Sequence, residues 1–107
     1  MNDKVKDNNS PIAKRLSEAR KRKGISQKAL GIAAGIDEFS ASPRMNQYEK
    51  GTHAPPLSIL ENIAKVLDVP LPYFYAEDDD TAQLLLNFHR MNDNEKDNIL
   101  NITTQPH

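Results

Sequence analysis

The chain has 107 residues and a formal net charge of −1, and 37% of its residues are hydrophobic. This length allows one small domain with a modest hydrophobic core and is too short for an elaborate enzyme. Because the sequence contains no cysteine, a disulfide framework, a thiol nucleophile and a cysteine-based zinc site are excluded. The apolar runs are far shorter than a membrane span and the amino terminus lacks the hydrophobic segment of a signal peptide, so we expect a cytoplasmic protein.

The first predicted elements are a polar arm and a helix. Residues 1–9 have alternating charges and no apolar periodicity, which predicts a flexible arm. Lys4 and Lys6 could contact nucleic acid from this arm, and the alternative is an ordinary disordered end. The helix that follows ends at Gly24, and its apolar face is formed by Ile12, Leu16 and Ala19.

Two short helices are predicted next, each opened by a serine and closed by a glycine. Ser26 can cap the second helix, which Gly35 ends. Ser42 can cap the third helix, with Pro43 at its first position and Gly51 just beyond its end. The apolar residues of the pair that should face a common core are Leu30, Ala33, Ala34, Met45 and Tyr48. A helix pair of this kind can lay its second member in the major groove of DNA.

A fourth helix and a helical turn complete the predicted core. The apolar residues of the fourth helix fall at i, i+3, i+4 and i+7: Leu60, Ile63, Ala64 and Leu67. Ser58 and Glu61 have the spacing of a capping box at its start, and Pro70 lies beyond its end. Residues 72–75 then form a single turn that inserts Phe74 into the same core.

Residues 12–76 resemble the phage-repressor and Cro type of helix-turn-helix domain, called the XRE family. The matching residues are Arg20, Gly24, Ser26, Gln27, Leu30, Gly35, Ile36, Tyr48, Glu49, Lys50, Gly51, Pro56, Leu60, Ala64, Leu67, Asp68, Val69 and Phe74. The resemblance implies a five-helix, lambda-repressor-like domain over residues 10–76, of bacterial or phage origin, that binds operator DNA, usually as a dimer. It also implies that Arg20 pairs with Glu49 and so fixes the third helix.

The chain departs from the family pattern in two places. Twelve residues separate Gly35 from Tyr48, more than in most members, so we expect the extra segment, around residues 36–41, to lengthen the turn. This segment brings two acidic residues near a surface that should face phosphate. Gly31 replaces the usual alanine at a cost of about 1 kcal/mol inside a helix, which indicates that a neighbouring helix approaches closely.

The third helix carries the candidate base-reading residues. Its apolar residues face the core, which directs its polar positions toward the groove. Gln47 is the first candidate, because its amide can bond N6 and N7 of adenine together and because the family often uses this position. Arg44 can bridge to guanine or to phosphate. The further candidates are Asn46, Ser42 and Pro43.

Basic and polar residues near the helix pair are the candidate phosphate contacts. Residues 1–54 carry 11 Lys or Arg and 6 Asp or Glu, whereas residues 55–107 carry 3 Lys or Arg and 9 Asp or Glu. The helix pair therefore lies in the basic half of the chain, and binding to phosphates requires such a basic region. The basic run at residues 20–23 could instead complement the dipole of the first helix. Gln27 resembles a family residue that holds a phosphate and braces the third helix, and the alternative is an ordinary helix-start glutamine. The other expected contacts are Lys28, Lys50 and Thr52.

Residues 77–107 form a predicted helical hairpin. Asp80 or Thr81 can cap its first helix, and residues 95–102 form the second. The apolar stripe of the first helix consists of Leu84, Leu85, Phe88 and Met91. This hairpin could pack on its own domain or on a second copy. We favour dimerisation through residues 81–102, because operators of this class are usually two-fold symmetric.

The sequence therefore predicts an all-α repressor that binds a palindromic double-stranded operator as a homodimer, without cofactor, metal or catalytic residue. His53, His89 and His107 are isolated from one another, which does not fit a metal site. The alternative is an antitoxin or protein-interaction module whose acidic tail binds a basic toxin, with DNA binding secondary. Because nothing after residue 76 is long enough for a self-cleaving module, repression would end through competition, an antirepressor or dilution.

Overall fold

The computed structural model describes residues 10–104, and the predicted arm at residues 1–9 and the terminal His107 lie outside this range. Its helices are α1 (Pro11–Lys23), α2 (Gln27–Ala33), α3 (Glu38–Lys50), α4 (Leu57–Leu67), a 3-10 helix (Leu71–Tyr75), α5 (Asp79–His89) and α6 (Asp93–Thr103). No strand occurs among these residues. The predicted all-α fold, a five-helix unit followed by two carboxy-terminal helices, is confirmed.

The first five helices surround one hydrophobic core. Its fully buried members come from every one of them: Leu16, Leu30, Met45, Ile63 and Phe74. The predicted insertion of Phe74 is therefore confirmed. The prediction that Ala33 faces this core is wrong, because Ala33 is exposed, whereas the same prediction is confirmed for Ala34, which is buried just beyond the end of α2.

The start of α3 differs from the prediction. Asp37 caps the helix by accepting a hydrogen bond from the amide of Phe39 at 3.0 Å, so Ser42 and Pro43 lie inside the helix rather than at its start. Pro43 has no amide hydrogen to give to the carbonyl of Phe39, and both residues lie on the exposed side, where water can bind that carbonyl. Only residues 34–37 separate α2 from α3. The extra residues therefore form the first turn of α3 and do not lengthen the connection.

This additional turn lies against α2 at Gly31. A Cβ atom placed on Gly31 would stand 2.9 Å from the Cβ of Ala41 and 3.0 Å from Cγ of Met45. Such distances are shorter than carbon atoms tolerate, so glycine is required where the two helices cross. The predicted close approach at Gly31 is confirmed, and its partner is the segment that was expected to be a loop.

The caps of α2 and α3 follow the sequence signals in part. Ser26 accepts a hydrogen bond from the amide of Ala29 at 3.0 Å, and Gly51 ends α3 in the left-handed region at φ 78°. The predicted capping box of α4 is wrong. That helix begins at Leu57, its cap residue is Pro56, and no side chain caps it, so Ser58 already lies within the first turn.

The carboxy-terminal helices begin with acidic and amide caps. Asp78, and not Asp80 or Thr81, caps α5 by accepting from the amide of Thr81 at 3.1 Å. The cap of α6 is Asn92, which forms a capping box with Glu95. A contact between His89 Nε2 and Asp68 Oδ1 at 3.0 Å joins the end of α5 to the end of α4 and lowers the pKa of Asp68.

One face of α5 is attached to the five-helix unit. Asp79, Ala82 and Leu86 share this face at i, i+3 and i+7, and the two apolar residues are buried beside the 3-10 helix. The side chain of Leu84, from the predicted apolar stripe, is 58% exposed. Because Asp79 contacts α1, it fixes the rotation of α5 and leaves much of the stripe outside the core.

The contact of α5 with α1 is built around a buried arginine. Arg15 is 1% exposed, and its Nε donates to the carbonyl of Ala76 at 2.9 Å. Its Nη1 donates to Glu18 at 3.2 Å and to Asp79 at 3.0 Å. Tyr73 donates its hydroxyl hydrogen to Glu18 at 2.8 Å, and burial together with this bond raises the pKa of Tyr73 to about 12. This network connects α1, the 3-10 helix and α5.

We expect Gly31→Ala to lower the free energy of unfolding by up to about 2 kcal/mol. Overpacking costs about 1 to 3 kcal/mol, and the higher helix propensity of alanine returns about 1 kcal/mol. Urea unfolding measures this difference, with Gly31→Ala repeated in an Ala41→Gly background as the matched test. The cost should shrink there, because the Cβ that makes the closest contact is gone. A stabilising Gly31→Ala in both backgrounds would contradict the close approach.

We expect the stabilising effect of Asp79 to depend on pH. Hydrogen bonds from Arg15 and Lys14 hold the pKa of Asp79 below its ordinary value of 3.8. Because the pKa is lower in the folded than in the unfolded chain, the stabilisation is present above 3.8 and is lost as the pH falls through the folded-state pKa.

Thermal unfolding checks this pH dependence. The melting temperatures of Asp79→Asn and of the unsubstituted chain are compared from neutral to strongly acidic pH. The two melting temperatures should differ at neutral pH and converge in acid. Asp80→Asn is the matched control, because Asp80 is also exposed in the first turn of α5. A pH-independent difference for Asp79→Asn would show that the carboxylate charge is not responsible.

Candidate nucleic-acid interface

The α3 helix has one buried and one exposed face. Ala41 and Met45 are completely buried and Tyr48 nearly so, at the spacing i, i+4 and i+7. All predicted base-reading residues are exposed on the remaining surface: Ser42, Pro43, Arg44, Asn46 and Gln47. No described residue forms a hydrogen bond with the side chain of Arg44 or Gln47. These polar groups are therefore available to a ligand.

An ion pair holds the carboxy-terminal end of α3 against α1. Arg20 donates from Nε and Nη2 to the two carboxylate oxygens of Glu49, at 2.5 and 3.1 Å. The side chains of Arg20 and Glu49 are 14% and 7% exposed, so water screens the pair weakly. A third bond from Arg20, to the carbonyl of Ile25 at 3.0 Å, fixes the guanidinium at the start of the α1–α2 connection. The pair implied by the family resemblance is present.

Gln27 joins this ion pair from the first turn of α2. Its amide nitrogen donates to Glu49 Oε1 at 3.1 Å and to Asn46 Oδ1 at 3.5 Å. Gln27 therefore braces α3. Both amide hydrogens are directed to protein oxygens, so Gln27 must give up one of these bonds to donate to a phosphate. The amide oxygen cannot substitute, since a phosphate offers it no hydrogen.

The other predicted phosphate contacts differ in what they can offer. Lys28 in the first turn of α2 and Lys50 at the end of α3 are exposed. Thr52 is also exposed, but its hydroxyl donates to the carbonyl of Gln47 at 3.3 Å. The two lysines provide free positive charge beside the exposed face of α3, whereas Thr52 would have to redirect its hydroxyl.

The basic run at residues 20–23 divides between two sides of the protein. Arg20 contacts α3, whereas Arg22 and Lys23 line a cavity with Asp68 and Arg90. Lys23 also acts on the pKa of Asp68, which places its charge at the end of α4. Arg22 and Lys23 therefore complement the carboxy-terminal dipole of α1 and do not extend the surface around α3.

Phe39 is an exposed residue of α3 that the sequence analysis assigned to a turn. Its side chain is 88% exposed and lies one helical turn before Pro43. The spacing of Ala41, Met45 and Tyr48 could have revealed it, because this core stripe already begins before Ser42. The apparent start signal at Ser42 and Pro43 concealed the earlier cap at Asp37.

The described part of the chain offers little for other chemistry. In residues 10–104, no three His, Cys, Asp or Glu side chains are placed to hold a metal ion. No helix in the same range has the length and apolar character that crossing a membrane requires.

Comparisons with known proteins agree on one class. No protein-family model matches the chain. Two uncharacterized HTH-type transcriptional regulators, from Sinorhizobium medicae and Rhizobium meliloti, are each 33% identical over 66 residues, which is 62% of this chain. The matched region is 45% of either relative, so the chain spans about half the length of the curated relatives it matches.

A solved structure covers more of the chain. The crystal structure of the transcriptional regulator BswR superposes with a TM-score of 0.81 and 42% sequence identity. The match covers 88% of this chain and 93% of that one. These relatives are transcriptional regulators, a non-enzymatic class, which agrees with the expectation that the chain is not an enzyme.

We expect Glu49→Ala to lower the free energy of unfolding by about 2 to 4 kcal/mol, because it leaves the guanidinium of Arg20 buried without its counter-charge. Lys50→Ala is the matched control at the adjacent exposed position and should change the free energy by less than about 0.5 kcal/mol. Urea unfolding of both variants gives the comparison. Equal small effects at the two positions would contradict a structural role for the pair.

Proposed function

Because this chain belongs to the helix-turn-helix transcriptional regulators, we propose that it binds a palindromic DNA operator as a dimer and represses transcription there. Residues 10–76 would form the DNA-binding domain and residues 77–107 an extension that joins two copies. The observation that carries the proposal is the division of α3 into a buried apolar face and an exposed polar one. Repression is the simplest mode of regulation for such a domain, because occupying a promoter requires no further contact with the polymerase.

In this proposal α3 enters the major groove, and its exposed side chains read the bases. Gln47 is the principal reader, because its side-chain amide is free to donate from Nε2 to N7 of adenine and to accept at Oε1 from the N6 amino group. Arg44 would bond guanine or phosphate, and Asn46, Ser42 and Pro43 would lie along the same groove. Gln27 and Glu49 would keep α3 at a fixed angle to α2 during binding.

Lysines beside α3 would supply most of the sequence-independent affinity. Lys28 lies in the first turn of α2 and Lys50 at the end of α3, and both side chains are exposed. Each phosphate that a lysine neutralises releases counterions from the DNA, which favours binding. Thr52 and Gln27 are weaker candidates, because their donors are already used within the protein. Lys28 and Lys50 both belong to residues 1–54, which carry 11 Lys or Arg against 6 Asp or Glu.

Dimerisation through residues 81–102 is supported by apolar side chains that the five-helix unit does not cover. Leu84, Leu100 and Ile102 are 58%, 50% and 66% exposed, and α6 has no buried residue. Burying such side chains against a second copy would remove this apolar surface from water. A two-fold dimer would also present two copies of α3 to the two halves of a palindrome.

The proposal predicts different roles for Gln47 and Lys28. On a duplex selected from a random library by the full-length protein, Gln47→Ala should cost about 1 to 3 kcal/mol, and on random DNA it should cost little. Lys28→Ala should weaken both complexes and reduce the dependence of log K on log salt by about 1. A salt titration of binding measures both effects. Equal losses for Gln47→Ala on the two DNAs would exclude it as a reader.

The proposal also predicts that charge on α6 separates the dimer. The full-length double variant Leu100→Lys/Ile102→Lys should elute as a monomer in size-exclusion chromatography with light scattering. The matched control, Asn94→Lys/Asn98→Lys, adds the same charge at exposed polar positions of α6 and should remain a dimer. Dimers of equal stability in both variants, or a monomeric unsubstituted chain, would contradict dimerisation through α6. Retention of a basic toxin by the tail would favour the antitoxin alternative.

A further inference from the structure

We propose that Phe39 is a further specificity-determining residue, which recognises the C5-methyl group of a thymine in the major groove. This inference rests on the proposed function, because it requires α3 to enter that groove. The proposal gives a role to the additional first turn of α3. The sequence pattern predicts these residues to be part of the connection between α2 and α3.

The position of Phe39 on α3 satisfies the geometric requirement. Phe39, Pro43, Asn46 and Lys50 follow one another at i, i+4, i+7 and i+11, and all four are exposed. At 100° per residue these positions fall within about 60° of one another around the helix axis. Phe39 therefore lies on the same outward face as Pro43 and Asn46, two of the proposed readers. It is also at the amino-terminal end of α3, the end from which recognition helices contact base edges.

The exposure of Phe39 indicates a binding role rather than a structural one. At 88% it is the most exposed large hydrophobic side chain among residues 10–104. Phe74, by contrast, is completely buried in the core. An aromatic side chain in full contact with water contributes nothing to the packing of the fold, and it gains free energy when another apolar surface covers it.

The thymine methyl is the apolar group that the major groove offers. Phe39 has no hydrogen-bond donor for a phosphate or a base acceptor, so only an apolar partner suits it. Phenylalanine side chains contact the thymine methyl in direct readout. Insertion between bases belongs to minor-groove proteins, whereas α3 would occupy the major groove. On α3 itself the exposed apolar surface at this face consists of Phe39 and Pro43, which is far smaller than the surface that a stable protein partner buries.

Because α3 is long, Phe39 at its start would contact other base pairs than Gln47 near its end. Four residues of helix add about 6 Å, close to two base-pair steps of about 3.4 Å. Glycine at position 31 permits the extension, because the additional turn lies against α2 there. The extra turn therefore enlarges the surface that α3 presents to a half-site.

Deoxyuridine substitution tests the proposal, because it removes only the C5-methyl group of thymine. The DNA probe is a duplex selected by the full-length protein from a random library, in which each thymine is replaced in turn. For the unsubstituted protein, one or two positions in each half-site should lose about fourfold in affinity, the value of one buried methyl group. For Phe39→Ala, the overall affinity should be lower and these positions should show no further loss.

Phe39→Leu is the matched control. It keeps an apolar side chain and should retain part of the sensitivity to the missing methyl group, whereas Phe39→Ala should not. Because Phe39 is exposed, both variants should have the melting temperature of the parent. The same deoxyuridine pattern in Phe39→Ala and the parent protein would overturn the proposal and leave the proposed function standing. Failure of the parent protein to select any DNA would overturn both.

Discussion

The crossing of α2 and α3 at Gly31 is the constraint from which the rest of the interface follows. A side chain on residue 31 would come within 2.9 Å of Ala41, so only glycine lets the first turn of α3 lie on α2. With Ala41 buried there, Phe39 and Pro43 are turned outward in line with the polar residues that follow. At the other end of α3, the bonds of Glu49 with Arg20 and Gln27 fix the helix a second time. Two fixed ends hold the exposed face in one orientation.

Much of the fold could be predicted from local sequence signals. The core positions Leu16, Leu30, Ile63 and Phe74 follow from apolar periodicity, because a helix face that is buried must repeat at 3.6 residues. The start of α3 could not be predicted in this way. Ser42 with Pro43 has the chemistry of a helix start, yet Asp37 caps the helix and the buried contact of Ala41 continues it through the proline. Tertiary packing overrides the local preference at this point.

The exposed residues of the candidate interface could be predicted, because the opposite face of α3 is apolar. The hydrogen bonds that hold the interface in place could not be predicted in the same way. The family resemblance indicated that Gln27 braces α3, but its partner Glu49 is known only from how the two helices meet in space. The bond from Thr52 to the carbonyl of Gln47 depends on how the chain turns just beyond the end of α3. The attachment of α5 was hidden for the same reason. Arg15 reads as one of several surface charges, but it is buried and bonded to Ala76 and Asp79 across more than 60 residues of chain. The face of α5 that packs inward is set by this distant contact.

Insertion of α3 into the major groove is the central claim. Dimethyl sulfate footprinting of the complex tests it most directly, because the reagent methylates guanine at N7 in the major groove and adenine at N3 in the minor groove. Insertion predicts protection of guanine N7 in two half-sites separated by about one helical turn. Protection of adenine N3 alone, with guanine N7 as reactive as in free DNA, would contradict it.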